Sequence, residues 1–163
     1  MKVISGGQTG VDQIGLKIAY YLGIPTGGTA PKGYKTENGS MKKLLQFYNL
    51  IEHNSDAYGP RTEMNVMNSD VTLLFGDMES PGSISTLAYC VKHSRPYLKN
   101  PTANRIYKVL MERNFQVINI AGNRRSKLSN EQWLKIASVI KQGLDNVRRE
   151  RARVSERPEI QQW

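Results

Sequence analysis

The chain has 163 residues, is 39% hydrophobic and 23% charged, and carries a formal net charge of +9. That length fits one domain with a core large enough to need neither disulfides nor a structural metal, and the composition is ordinary for a globular protein. No apolar run approaches the roughly 18–20 residues of a membrane span, residue 2 already opens a strand rather than a signal peptide, and the lone cysteine, Cys90, fits a reducing compartment. A cytoplasmic protein is therefore expected.

In chain order, strand and helix signals alternate. Residues 2–5 predict the first strand, and Val11, Ile14, Ile18 and Leu22 fall on one face of a helix ending near Gly23. Residues 24–28 predict a short second strand with a turn, 30–40 a polar loop carrying Pro31-Lys32-Gly33, and Leu50–Glu52 a weak strand; 44–48 is ambiguous. A helix follows over 58–68, with Pro60 in its first turn. Val71–Phe75 is apolar and β-branched throughout, as in a strand buried on both faces. Beyond it come a loop over 76–82, a helix over 84–93, a short strand at Tyr97-Leu98, a helix over 104–113 and a buried strand over 117–121. Ser129-Asn130-Glu131-Gln132 is a capping box. It opens a long helix with Trp133, Ile136, Ala137, Ile140, Leu144 and Val147 on its inner face.

Buried strands separated by helices predict an α/β fold with a doubly wound, mostly parallel sheet. In such sheets ligands sit beyond the carboxyl ends of the strands. Two segments have the right grammar for that crevice. The first is Ser5-Gly6-Gly7-Gln8-Thr9-Gly10-Val11-Asp12, where glycines permit close backbone approach and the following helix start favours an anion. It is neither a Walker A loop, lacking Gly-Lys-Ser/Thr, nor the dinucleotide fingerprint, whose glycine spacing and distal acid are absent. The second is Pro81-Gly82-Ser83-Ile84-Ser85-Thr86, with hydroxyls and backbone N–H groups at another helix start.

Several candidates remain open between a site and a bland role. Asp12 is a candidate base, or the partner of Thr9 in a capping box. Arg61 and Asn65 share a helical face and suit a phosphate clamp, although a surface Arg paired to Glu gives the same pattern. Glu63 is a second candidate carboxylate. Lys32 is a loop lysine, and Gly122 marks a third strand exit at 119–126. His53 and His93 lack ligand-spaced partners, so no metal site is expected. Cys90 lies inside a helical pattern and reads as core. Residues 148–157 hold five Arg and two Glu. They read as a solvated helix end that dissolves at Pro158, or as a contact for nucleic acid or an acidic partner.

The segments 5–12, 22–28, 31–33, Arg61-Thr62-Glu63-Met64-Asn65-Val66, Ser69-Asp70-Val71-Thr72-Leu73 and Asn119-Ile120-Ala121-Gly122 occur in this order. Together they resemble the molybdenum cofactor carrier family, a branch of the SLOG superfamily. The resemblance covers about residues 2–146; the domain is expected to span 1–147, with 148–163 as a basic extension. It implies a Rossmann-like three-layer sandwich and a homo-oligomer, dimer or tetramer. It also implies a ligand, either a nucleotide or molybdenum cofactor, held at the two small-residue turns by Gly6, Gly7, Gln8, Thr9, Gly10, Asp12, Gly82, Ser83, Ser85 and Thr86. Related superfamily members that cleave nucleoside monophosphates carry a Pro-Gly-Gly-x-Gly-Thr-x-x-Glu-like turn. Here Ser83 and Ser85 replace two glycines and Ala88 stands near the missing carboxylate. The expectation is thus a binder of a phosphate-bearing small molecule, with a hydrolase as the alternative.

Overall fold

A computed structural model describes residues 1–157; the expected end of the basic tail, from Pro158, lies outside the described residues. Eight strands and six α-helices follow in the order β1 (Lys2–Ile4), α1 (Val11–Tyr21), β2 (Thr26–Ala30), β3 (Lys35–Thr36), β4 (Gly39–Ser40), α2 (Lys42–Phe47), β5 (Leu50–Glu52), α3 (Tyr58–Met67), β6 (Val71–Phe75), α4 (Pro81–Lys92), β7 (Tyr97–Lys99), α5 (Ala103–Glu112), β8 (Val117–Gly122) and α6 (Asn130–Ser155). Six strands form one parallel sheet in the order β5-β2-β1-β8-β6-β7. The last strand thus lies between β1 and β6, and the loops leaving all three meet at one edge.

Alternation along the central strands explains the layers. Val71, Leu73 and Phe75 of β6, with Ile118 and Ile120 of β8, enter a core shared with Val11 and Ile14 of α1, Ile106 and Leu110 of α5, and Ile140 and Leu144 of α6. Leu16 of α1 joins Leu45 of α2, Tyr48 and Leu50 in a smaller cluster beside it. The alternate residues Thr72, Leu74, Asn119 and Ala121 point to the opposite face, over which α3 and α4 pack together. The result is a three-layer, Rossmann-like α/β fold, with a small and polar inner lining on the face that only two helices cover. Among the described residues, no helix is long and apolar enough to cross a membrane.

Three segments differ from the sequence expectation. Residues 30–40 are not a plain loop: they contain the end of β2, a 3₁₀ turn (Lys32–Tyr34) and the β3–β4 hairpin. The ambiguous stretch near 44–48 is mostly helix α2. Helix α4 begins at Pro81, three residues earlier than the apolar pattern implied, because Ser80 caps it and Pro81 has its φ pre-set for a first helical position. The α6 capping box is present as expected, with Ser129 Oγ accepting from Gln132 N–H and Gln132 Oε1 accepting from Ser129 N–H. The same helix runs through the arginine-rich segment. There Arg148 and Arg149 pair with Asp145, Arg153 pairs with Glu150, and Arg151 donates to the carbonyls of Leu110 and Phe115.

Candidate functional site

A cavity of about 830 Å³ opens where the carboxyl ends of β1, β8 and β6 meet the first turns of α3 and α4. That size is within the range of small-molecule sites. Its wall on the β1 side is the Gly6–Asp12 turn. Burial raises the Asp12 carboxyl above its ordinary value, against the pull of the Arg61 guanidinium, the Gln8 N–H and the Gly6 N–H. Arg61 Nη1 lies 3.1 Å from Asp12 Oδ2, and both side chains are more than nine-tenths buried. A Cβ at residue 6 would displace that guanidinium, so the glycine leaves room for the Asp12–Arg61 pair.

The expected Thr9–Asp12 capping box does not form. Gly10 is the N-cap of α1 and carries no side-chain cap bond. Thr9 instead donates to Glu37 Oε1 and accepts from Arg125 N–H at 3.1 Å. Glu37, in the turn of the β3–β4 hairpin, also accepts from the N–H and hydroxyl of Ser126. Desolvation works to raise the Glu37 carboxyl, but the Ser126 and Thr9 hydrogen bonds and the Arg124 charge outweigh it and hold it below the usual range. Gln8 completes the strap, its Oε1 accepting from the N–H groups of Thr9 at 3.0 Å and Glu37 at 2.9 Å. The 5–12 turn, the hairpin and the 123–127 segment are thereby tied together.

The opposite wall is the start of α4. Asn123 Oδ1 accepts from Asp77 N–H, and Asn123 Nδ2 donates to Ser80 Oγ at 3.0 Å, fixing the loop that leads into the helix. Pro81 has no N–H, Ser83 N–H is taken by Ser80 Oγ, and the helical ladder starts with Ile84 N–H on the Ser80 carbonyl. Among the described residues this leaves the Gly82 N–H of the first turn without a partner. A Cβ at residue 82 would meet nothing within 4 Å, so the glycine keeps open space beside that donor. Arg124 and Lys127 add positive charge to the lining, alongside the Asp77 and Glu79 carboxylates. At the mouth, Tyr58 collects three cations around its ring: Lys35 Nζ at 5.2 Å, Arg61 Cζ at 5.4 Å and Arg124 Cζ at 5.9 Å from the centroid. Donors, a helix start and clustered cations at a strand-exit crevice favour an anionic group.

The cavity brings together Gly6, Gln8, Asp12, Arg61, Asn65, Gly82, Ser85, Thr86 and Gly122. Arg61 is not the surface residue paired to Glu of the bland alternative, being 8% exposed and paired to Asp12. Asn65 has both amide atoms engaged by the Thr29 backbone, at 2.8 and 2.9 Å. Gly7, Thr9, Gly10 and Ser83 stand behind the lining. Gly7 packs toward Leu45 and Leu50, while Gly10 lets the 123–125 backbone approach. Lys32 is exposed in its 3₁₀ turn and is not brought to the cavity. Glu63 is likewise apart from it: Lys92 and His93 each lie 2.7 Å from its Oε1, and those contacts hold its carboxyl below the ordinary value. Cys90 is fully buried, and no cluster of metal-ligating side chains occurs among the described residues. Sequence reasoning passed over Tyr58 and Ser80, and reached Asn119, Asn123 and Arg124 only as members of the 119–126 strand exit, without roles of their own.

The sequence model of the circularly permutated YpsA SLOG family matches residues 3–143. No curated protein matches the chain. Among solved structures, the chain is similar to a "putative molybdenum carrier protein" from Syntrophus aciditrophicus SB. The two share 30% identity over 90% of this chain and 93% of that one, with a TM-score of 0.73.

Proposed function

From a chain that belongs to the circularly permutated YpsA SLOG family, we propose a protein that binds, and so carries or sequesters, a phosphate-bearing small molecule. The cavity between α3 and α4 is its site. The observation that carries this reading is the first turn of α4, where the Gly82 N–H has no partner among the described residues and open space lies beside residue 82. Ser85, Arg124 and Lys127 surround that turn with donors and positive charge. A nucleotide or a phosphorylated pterin such as molybdenum cofactor has the required anionic end. The name of the Syntrophus protein favours the second as cargo.

The geometry gives less to a hydrolase. Glu63 is outside the lining, and Asp12 is engaged by Arg61 and by the Gln8 N–H. It also gives less to nucleic-acid binding through the basic helix end, whose arginines Arg148, Arg149, Arg151 and Arg153 are committed to partners within the fold. The same reading takes the protein to work as a homo-oligomer in the cytoplasm, the first part of which light scattering on the purified protein measures.

Calorimetry with ribose 5-phosphate and adenosine monophosphate tests the site. Gly82→Leu is expected to abolish the binding shown by the unmodified protein while leaving its unfolding temperature within a few degrees. Equal affinity in the two proteins would overturn the assignment.

A further inference from the structure

The cavity has two tiers. Arg61 and Asn65 stand about 6 Å apart along α3, one helical turn, as do Gly82 and Thr86 along α4. On β8, Asn119 lies three residues, about 10 Å, below Gly122 at the sheet edge. The upper tier carries the cations and the free N–H described above. The lower tier is neutral, with Leu74 and Ala121 as an apolar floor.

Nearly every polar side chain of the lower tier is already committed. Both amide atoms of Asn65 bond the Thr29 backbone, and the Thr86 hydroxyl donates to the Gly82 carbonyl at 2.9 Å. Asn119 is different. It is 2% exposed, its Nδ2 donates to Thr72 Oγ1 at 3.1 Å, and its Oδ1 has no partner. With the Nδ2 turned to Thr72, the Asn119 oxygen is the unpaired atom. A buried acceptor without a donor is a costly state that a bound group can relieve.

We infer that Asn119 selects the ligand's ring. The structure assigns to this cavity a nitrogen heterocycle bearing an N–H that donates to Asn119 Oδ1, seated on the floor made by Leu74 and Ala121 with its phosphate at the Gly82 turn. The inference rests on the phosphate-binding reading of the same cavity. It adds a requirement that the phosphate alone does not impose. A flat ring matches the apolar floor, and the unsatisfied group in this lining among the described residues is an acceptor, so rings that offer only acceptors lose this contact.

Affinities measured by calorimetry for ribose 5-phosphate, adenosine, guanosine and neopterin monophosphates, and purine riboside monophosphate, which has no N–H on its ring, test it on the unmodified protein. At least one N–H-bearing ring is expected to bind about tenfold more tightly than purine riboside monophosphate. In Asn119→Leu that advantage disappears while affinity for ribose 5-phosphate is unchanged. Equal binding of all the ring phosphates, or no gain from any ring over ribose 5-phosphate, overturns the role of Asn119. The phosphate site then still stands if Gly82→Leu abolishes ribose 5-phosphate binding. Absence of binding by every one of these probes overturns both.

Discussion

Gly10 and Gly82 lie at the starts of α1 and α4, and alanine at each should act in opposite ways. Residue 10 has φ 83° and ψ −129°, a conformation that costs an L-residue about 1–3 kcal/mol. Its Cβ would also lie 2.6 Å from Arg125 N and 2.7 Å from Arg124 C, as well as against the Asn123 oxygen. All three contacts are backbone and cannot rotate away, so displacing the 123–125 segment adds about 1–3 kcal/mol more. Gly10→Ala should therefore cost about 2–6 kcal/mol, much of the roughly 5–15 kcal/mol that holds a domain folded. At residue 82 a Cβ meets no atom within 4 Å. Alanine is also the better helix former, so Gly82→Ala should leave stability unchanged or raise it by up to about 1 kcal/mol while weakening phosphate binding. Urea unfolding followed by circular dichroism measures both. A Gly10→Ala protein within about 0.5 kcal/mol of the parent, the range of ordinary surface substitutions, would refute the packing argument for the first turn.

Other expectations follow from the same contacts. Arg61→Met leaves the buried Asp12 carboxylate without its cation, and denaturant unfolding at neutral pH should show a loss of about 3–5 kcal/mol. A raised native pKa means that the folded state favours the proton, so Asp12's own contribution is present below its unfolded value and lost as pH rises through its folded one. Removing Arg61 raises it further, and the deficit of the variant should shrink on acidification; a deficit independent of pH would contradict this. Glu37 has the opposite sign: its depressed value gives stability above the ordinary carboxylate range that is lost as pH falls through the folded pKa. The advantage of the parent over Glu37→Gln should accordingly fade below about pH 4.3, as read from unfolding temperatures across pH 3–7. Asn65→Ala strips its amide partners from the Thr29 N–H and carbonyl, and should cost about 2–4 kcal/mol in the same assay.

Much of the architecture was legible because the central strands and amphipathic helices announce themselves by period. Val71–Phe75 and Val117–Gly122 are apolar runs, and Trp133 to Val147 recur at helical spacing. The edge of the sheet was harder. Thr26-Gly27-Gly28-Thr29-Ala30 has poor strand propensity, yet it pairs with β1 and β5, and Gly28 lets the Ser5 backbone come close. The two turns at helix starts were readable from small residues after strands. What each glycine does was not, since Gly10 meets backbone and Gly82 meets space only once the chain is folded. Glu37 gave no signal, because its partners Thr9 and Ser126 lie 28 and 89 residues away. Asn119 shows why register matters. Its place opposite Thr72 and its unpaired oxygen depend on the pairing of β6 with β8, which no local pattern encodes.

The most direct measurement of the central claim is an amide map of the ¹⁵N-labelled protein titrated with adenosine monophosphate, with ribose 5-phosphate as the ring-free control. The account predicts that the Gly82 N–H shifts most with either probe, together with the backbone amides of Gly6 and Arg124. A Gly82 amide that stays still while others move, or a spectrum that neither probe changes, would contradict it.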